Sequence, residues 1–338
     1  MKTLLDLLVQ GENLSLNQAR SMFESFLDGH VGEIEMASIL TALKVKGEAP
    51  QEIAGAALAL KSRTRQTCVE GSVIDTCGTG GDGSGSFNIS TAAAFVVAGA
   101  GGKVAKHGNR SVTSKSGSAD VLEALSVNVN LSEDDSLKAL KKSGLGFFYA
   151  PSIHKSMASV MPVRRALGFR TIFNLVGPLC NPVKLTGQVI GVGDPSKLMD
   201  MAQAAKLMEL PRTLLVCSEN GLDELTLEGV NRGIFVNGSE MEKLEIHAQS
   251  LGIEPRPDAA LVGGSASMNA QIMRSVLSNE PSAHRDAVVL NAGAALFVAQ
   301  KAKDIFEGIH LAKQSLRNGN ALGALEGLVI NTSKILEG

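Results

Sequence analysis

The chain has 338 residues, 44% of them apolar and 20% charged, with a formal net charge of −2. That length allows two domains and a substantial core. The near-neutral balance argues against a generic polyanion binder, whose basic surface would show in the total, so any anion site has to be local and no nucleic-acid partner is expected. Cys68, Cys77, Cys180 and Cys217 are scattered without a CxxC pair or a Cys/His cluster, which suggests neither a zinc site nor a disulfide framework and fits a reducing cytoplasm. Residues 1–9 are interrupted by Asp6 and read as a helix face rather than a leader, and no apolar run is long enough to span a membrane.

Residues 1 to about 66 are expected to be wholly helical, with breaks at Gly11, from Gly29 to Gly32 and from Gly47 to Pro50. Ser15 with Gln18 makes a capping box, and Pro50 suits the first turn of a helix carrying Ile53, Ala56, Ala57 and Leu60. Met22, Phe23, Phe26, Ile39, Leu40 and Leu43 recur at helical spacing, as core or as an interface with a second subunit. From Ser72 the texture changes to short Val/Ile-rich strands alternating with helices, the signature of an α/β domain with a mostly parallel sheet. Strands are expected at 73–75, 103–105, 146–149, 188–192 and 213–218, and a hairpin turns at Asn237-Gly238 between 234–236 and 244–246. Helices are expected at 133–142 after Ser132, at 153–167 and at 196–208 after Pro195, with several more across 265–336.

The chemistry concentrates in residues 75–120. The strand ending at Asp75 runs into Gly78, Thr79, Gly80, Gly81, Asp82 and Gly83, a loop nearly bare of side chains whose backbone N–H groups can approach a ligand. Alone it is as readily a structural turn, since it lacks the Lys-Ser/Thr of a P-loop and the GxGxxG spacing. Next, Asn88, Ile89, Ser90 and Thr91 offer capping hydroxyls before an apolar helix from Ala92 to Ala98, and such a helix start seats a phosphate. A second strand delivers Lys106, His107, Gly108, Asn109 and Arg110, two cations and two polar groups around a glycine. Together the three segments point at one anionic ligand.

Two later segments add candidates. The helix at 153–167 would put Met157, Val160, Met161 and Arg164 near one face, with His154 a turn further back. On the residues alone, Arg164 and Arg165 are a solvated surface pair. Asp223 and Glu224 follow the strand at 213–218, at the end where parallel sheets bind ligands. Such a pair is ordinarily solvated, but beside a phosphate site it suits Mg²⁺, which takes one or two carboxylates plus substrate phosphates.

The runs GTGGD at 78–82, NIST at 88–91 and KHGNR at 106–110, in this order and spacing, resemble the substrate-binding motifs of the anthranilate phosphoribosyltransferase family, and the resemblance covers essentially the whole chain. It implies a nucleoside-phosphorylase-like fold: a helical domain of residues 1–70, to which roughly 160–185 return, hinged to an α/β domain of 71–159 and 186–338. It also implies a homodimer formed through the helical domains. The implied reaction, in tryptophan biosynthesis, moves phosphoribose from 5-phosphoribosyl 1-diphosphate (PRPP) to the amino group of anthranilate, releasing diphosphate. Position by position, Gly78, Gly81, Asp82, Ser86, Asn88, Ile89, Ser90, Thr91, Lys106, His107, Gly108, Asn109, Arg110, Ser111, Val112, Thr113, Ser114 and Ser118 would line the PRPP site. Gly78, Asn109 and Arg164 would meet anthranilate, which reverses the surface reading of Arg164, and Ser90, Asp223 and Glu224 would hold Mg²⁺. Lys106 would stabilise charge on the leaving group, while His107 either orients the amine or is a polar loop histidine. Residues 155–159 (KSMAS) lack the basic residue and second histidine that the family usually shows after His154, which bears on anthranilate entry. The rivals are a pyrimidine nucleoside phosphorylase, which shares the architecture, and a non-catalytic nucleic-acid-binding relative, which needs an extended basic groove.

Overall fold

The computed structural model describes residues 1–111 and 115–334. Four helices open the chain: α1 (Lys2–Val9), α2 (Leu16–Leu27), α3 (Glu33–Lys46) and α4 (Pro50–Lys61). Ser15 Oγ accepts the Gln18 amide at 3.3 Å and Gln18 Oε1 accepts the Ser15 amide at 2.9 Å, so two otherwise unpaired donors at the start of α2 are satisfied. The buried Glu52 of α4 accepts the amides of Ala49 (2.8 Å) and Leu14 (3.0 Å) and pairs with Lys46 Nζ at 3.0 Å. Those three donors offset the desolvation of its carboxylate and tie α4 to the ends of its neighbours. Met22, Phe23, Phe26, Ile39, Leu40 and Leu43 are buried against Ile53, Ala56, Ala57 and Leu60.

The remainder builds a sheet: β1 (Ile74–Gly78), α5 (Ile89–Gly99), β2 (Val104–Gly108), α6 (Ser118–Ala124), α7 (Glu133–Ser143) and β3 (Leu145–Tyr149). Three short helices follow, α8 (Ala150–Ile153), α9 (Met161–Leu167) and α10 (Phe173–Val176), then β4 (Gly187–Gly191), α11 (Leu198–Leu207) and β5 (Thr213–Ser218). The hairpin β6 (Asn231–Asn237) and β7 (Glu240–Ile246) precedes four helices, α12 (Ala266–Leu277), α13 (Ala283–Val298), α14 (Ile305–Arg317) and α15 (Asn320–Lys334). The strand order is β3-β2-β1-β4-β5-β6-β7, parallel as far as β5 and antiparallel through the edge hairpin. Since β2 and β3 lie on one side of β1 and β4 on the other, the order reverses between β1 and β4. Ligands of open α/β sheets bind outside the carboxyl ends of the strands at such a point.

Each sheet face has its own core. Val189, Leu214 and Val216 pack with α5 and the C-terminal helices, whereas the alternate residues Ile190, Val192, Leu215 and Cys217 pack with the N-terminal bundle. Val160, Val163, Ile172, Phe173, Val176 and Leu179 join that second core. This is the α/β class with a separate helical body that the sequence indicates.

Three local expectations fail. β2 runs through Lys106 and His107 to Gly108, in register with Phe147, Phe148 and Tyr149 of β3, so both are strand residues rather than parts of a turn. α5 begins at Ile89 and its N-cap, Asn88, makes no side-chain cap bond; Ser90 and Thr91 sit inside the first turn and are not caps. The single helix expected at 153–167 is α8, a 3-10 turn (Lys155–Ser159) and α9. Pro162 has no N–H to offer residue 158 and its ring excludes that carbonyl, so a helix restarts at Met161 with the proline in its first turn.

Candidate active site

The loop after β5 reaches back to the carboxyl ends of β1 and β4. Asp223 Oδ2 accepts the Gly80 amide at 2.7 Å, and Glu224 Oε1 accepts the Ser90 amide at 3.0 Å, so the positive end of α5 faces a carboxylate of the protein itself. Two glycines make room for that approach. A Cβ at Gly78 would collide with the Asp223 carboxylate, and one at Gly191 with the Asp223 main chain. Gly80, Gly81 and Gly83 all have φ between 65° and 75°, which explains the glycine run as a chain of left-handed turns. Gly81 lies beneath the guanidinium of Arg170.

Asp82 accepts the amide of Ser84 at 3.0 Å and that of Asp223 at 3.3 Å, and the Ser84 hydroxyl in turn accepts the Ser86 amide at 3.2 Å. Burial and the charge of Asp82 push the Asp223 pKa up; burial and the charge of Asp223 push Glu224 up further. Arg170 and Lys106 oppose these shifts without cancelling them. Crowded, half-buried carboxylates of this kind suit a hard cation, and their oxygens fit Mg²⁺. Among the described residues no three His, Cys, Asp or Glu side chains form a closed metal cage.

Lys106 is only 2% exposed; its Nζ donates to the Thr76 carbonyl at 2.5 Å and to Ser90 Oγ at 3.4 Å. A clamp holds this strand end. The fully buried Asp75, its pKa pushed up to about 6 by burial against the pull of Lys106, accepts the His107 amide at 3.3 Å and Asn181 Nδ2 at 2.8 Å. Asn181 Nδ2 also donates to the Ala105 carbonyl at 2.7 Å. His107 is not a loop histidine. Its Nε2 lies 3.1 Å from Nε2 of His154, whose Nδ1 is 3.0 Å from Thr64 Oγ1. Burial drives the two pKa values down to about 3 and about 4, so both imidazoles are neutral at pH 7 and one can donate to the other.

Beyond β2, Arg110 does not point an unpaired charge at a ligand. Glu123 holds its guanidinium at 2.5 and 2.6 Å, Asp120 adds a contact at 3.2 Å, and it lies 5.8 Å from the Tyr149 ring centroid. Asp120 also accepts the amides of Ser111 (2.9 Å) and Gly117 (2.8 Å), and Ser118 Oγ donates to the Asn109 carbonyl at 3.2 Å. Asn88 donates to the Ser116 carbonyl at 3.2 Å, which draws the start of α5 to the same turn. Val112, Thr113 and Ser114 lie outside the described residues. Arg164 is half-buried, 3.7 Å from Met161 Sδ and 3.5 Å from Asn174 Oδ1, with its guanidinium 5.6 Å from the Phe173 ring centroid; burial lowers its pKa.

Gly78, Gly81, Asp82, Ser90, Lys106, Asp223 and Glu224 thus meet at the switch point, while Arg164 stands on the neighbouring segment. Asp75, His154, Arg170 and Asn181 are structurally central but were absent from the set read off the sequence. An acid inside the apolar run Val73-Ile74-Asp75 is a signal in itself, because acids are almost never fully buried unless paired. The other three acquire their partners only through the fold.

Residues 2–64 match the family model described as "Glycosyl transferase family, helical bundle domain", and residues 70–322 that described as "Glycosyl transferase family, a/b domain". The anthranilate phosphoribosyltransferase of Roseiflexus sp. (strain RS-1) is 46% identical over 95% of both chains, and that of Oceanobacillus iheyensis is 41% identical over 100% of this chain and 99% of its own. The chain belongs to the anthranilate phosphoribosyltransferase family. Among solved members, the Thermus thermophilus enzyme superposes with a TM-score of 0.91 at 39% identity, covering 98% of this chain and 99% of that one. The Saccharomyces cerevisiae enzyme in complex with PRPP and Mg gives 0.89 at 27% identity, covering 98% of each.

Proposed function

We propose that the chain transfers phosphoribose from PRPP to the amino group of anthranilate, giving N-(5-phosphoribosyl)anthranilate and diphosphate, as a step of tryptophan biosynthesis. One arrangement carries the chemistry: Ser90, in the first turn of α5, is contacted by Lys106 at 3.4 Å and donates its amide to Glu224 at 3.0 Å. A cation, a helix N-terminus and an acid pair therefore meet where a diphosphate and its metal fit together. The PRPP site comprises Gly78, Gly81, Asp82, Ser86, residues 88–91, residues 106–114 and Ser118. Gly78, Asn109 and Arg164 receive anthranilate.

Ser90, Asp223 and Glu224 are the residues that would hold Mg²⁺, which when bound supplies positive charge against the diphosphate. An aromatic amine is neutral at pH 7, so the nucleophile needs positioning more than a strong base. Departure of diphosphate leaves an oxocarbenium-like ribose, and Lys106 stabilises the negative charge that leaves. His107, neutral and paired with His154, orients rather than takes a proton.

The helical body, residues 1–70 with 160–185, pairs with a second copy to form a homodimer, and the enzyme works in the cytoplasm. Supporting the first, a groove of about 760 Å³ lined by apolar residues of α1 and α3, among them Leu8, Val9, Ile34, Ala37 and Val45, lies on its surface. Among the described residues no helix is long and apolar enough to cross a membrane.

The test is the fluorescence change on mixing purified protein, PRPP, Mg²⁺ and anthranilate. Turnover that needs all four is expected; phosphate-dependent cleavage of thymidine without it would replace the reading with a nucleoside phosphorylase.

A further inference from the structure

Gly81 is bare on both counts that matter for a glycine. Its φ is +66°, and a Cβ there would collide with the Arg170 guanidinium. Arg170 is seated on that glycine, and its Nη2 donates to the Thr79 carbonyl at 3.0 Å. The loop is fixed on its other side by β4, where the Thr79 amide donates to the Gly191 carbonyl at 2.9 Å and the Gly193 amide to Thr79 Oγ1 at 3.0 Å.

Arg170 comes from the segment that joins α9, the helix that carries Arg164, to α10. Asn174 Oδ1 ties its parts together, accepting the Thr171 amide at 3.0 Å and lying 3.5 Å from Arg164 Nη2. A continuous chain of contacts therefore runs from Arg164 through Asn174 and Thr171 to Arg170, and across to the glycine loop. Left to itself a loop with three left-handed glycines has many shapes, and ordering it costs conformational entropy. A planar guanidinium that covers one peptide and bonds the next removes much of that freedom before a ligand arrives.

Resting on the function proposed above, we infer that Arg170 is a positioning residue for PRPP: it holds residues 79–81 in the shape that accepts the diphosphate, without itself entering the chemical step. The guanidinium spans Gly81 and the Thr79 carbonyl at once, whereas an ammonium reaches the carbonyl only. Lysine at this position therefore recovers part of the function and alanine none.

The experiment uses the whole protein with Mg²⁺ and measures PRPP affinity by calorimetry, both KM values and kcat by steady-state kinetics, and thermal stability. For Arg170→Ala the PRPP Kd and KM rise about tenfold or more, as for loss of a charge-assisted hydrogen bond. The anthranilate KM at saturating PRPP stays within about twofold of the parent, as does kcat, and Arg170→Lys falls between parent and Arg170→Ala. Gly81→Ala gives the second arm, because its methyl group must evict Arg170. In the Arg170→Ala background the same substitution costs less than in the parent, so the two effects do not multiply. A parent that turns over PRPP and anthranilate while Arg170→Ala and Arg170→Lys bind PRPP as it does overturns this inference alone. An equal rise of both KM values with a lowered melting temperature also overturns it, since that is general destabilisation. A parent that neither binds PRPP nor turns over overturns the functional reading, and the inference with it.

Discussion

A half-buried guanidinium whose contacts are a thioether at 3.7 Å and an amide oxygen at 3.5 Å keeps donors to spare, and Arg164 is in that position beside the Phe173 ring. Its planar fork can take a carboxylate through two parallel charge-assisted bonds, which lysine cannot copy. Arg164→Ala is therefore expected to lose about 2–5 kcal/mol of anthranilate recognition while PRPP binds nearly as before. Aniline, which has the nucleophile and no carboxylate, is the control. The parent strongly prefers anthranilate; a variant whose anthranilate-to-aniline ratio of kcat/KM equals that of the parent sinks the assignment. The glycines show what a sequence conveys at this scale. The bareness of Gly78 and Gly81 was legible, but its cause was not, because a missing Cβ does not say whether a ligand, the Asp223 carboxylate or the Arg170 guanidinium takes the space.

Elements defined by neighbours in sequence were the easier ones to read. The Ser15–Gln18 capping box and the hairpin are local chemistry: the box formed where the residues indicated, and the hairpin formed with its two-residue turn one position on, at Gly238-Ser239, because Asn237 still pairs with Glu240. The extent of β2 was not legible, because a lysine inside a strand is tolerable only when the Thr76 carbonyl and the Asp75 carboxylate stand across from it, and those belong to β1. The same clamp gives a pH-dependent prediction. Asp75 titrates at about 6 in the fold against 3.8 for an ordinary aspartate, so the stability it contributes is full below about pH 4 and is lost as pH rises through 6. Asn181→Ala removes a donor to the charged form and raises that pKa further. The variant should be less stable by about 1–3 kcal/mol, with the gap to the parent wider at pH 7.5 than at pH 5. Melting curves at the two pH values decide it: an equal gap would mean that Asn181 acts on the Ala105 carbonyl alone.

At the scale of the whole molecule, helical spacing identified the apolar positions of the N-terminal bundle without saying which face core and which face a partner. The fold shows which of the bundle's apolar residues are buried and which are exposed. Met22, Phe23, Phe26, Ile39, Leu40 and Leu43 are inside, whereas Val9, Ile34 and Val45 are 71%, 85% and 83% exposed along one groove of α1 and α3. Monomers seldom leave such residues clustered in water, and the cluster is the part of this surface most suited to a second copy. In an isologous pair each substitution acts twice, once on each side of the axis. Ile34→Glu with Val45→Glu would set four carboxylates into the contact, at positions where the isolated chain has nothing to lose in its own core. The parent should therefore run at roughly twice the mass of one chain by light scattering, and the double variant at the mass of one chain with a melting curve that keeps its cooperativity. A parent that is monomeric at micromolar concentration, or a double variant that stays dimeric, removes this face from the interface.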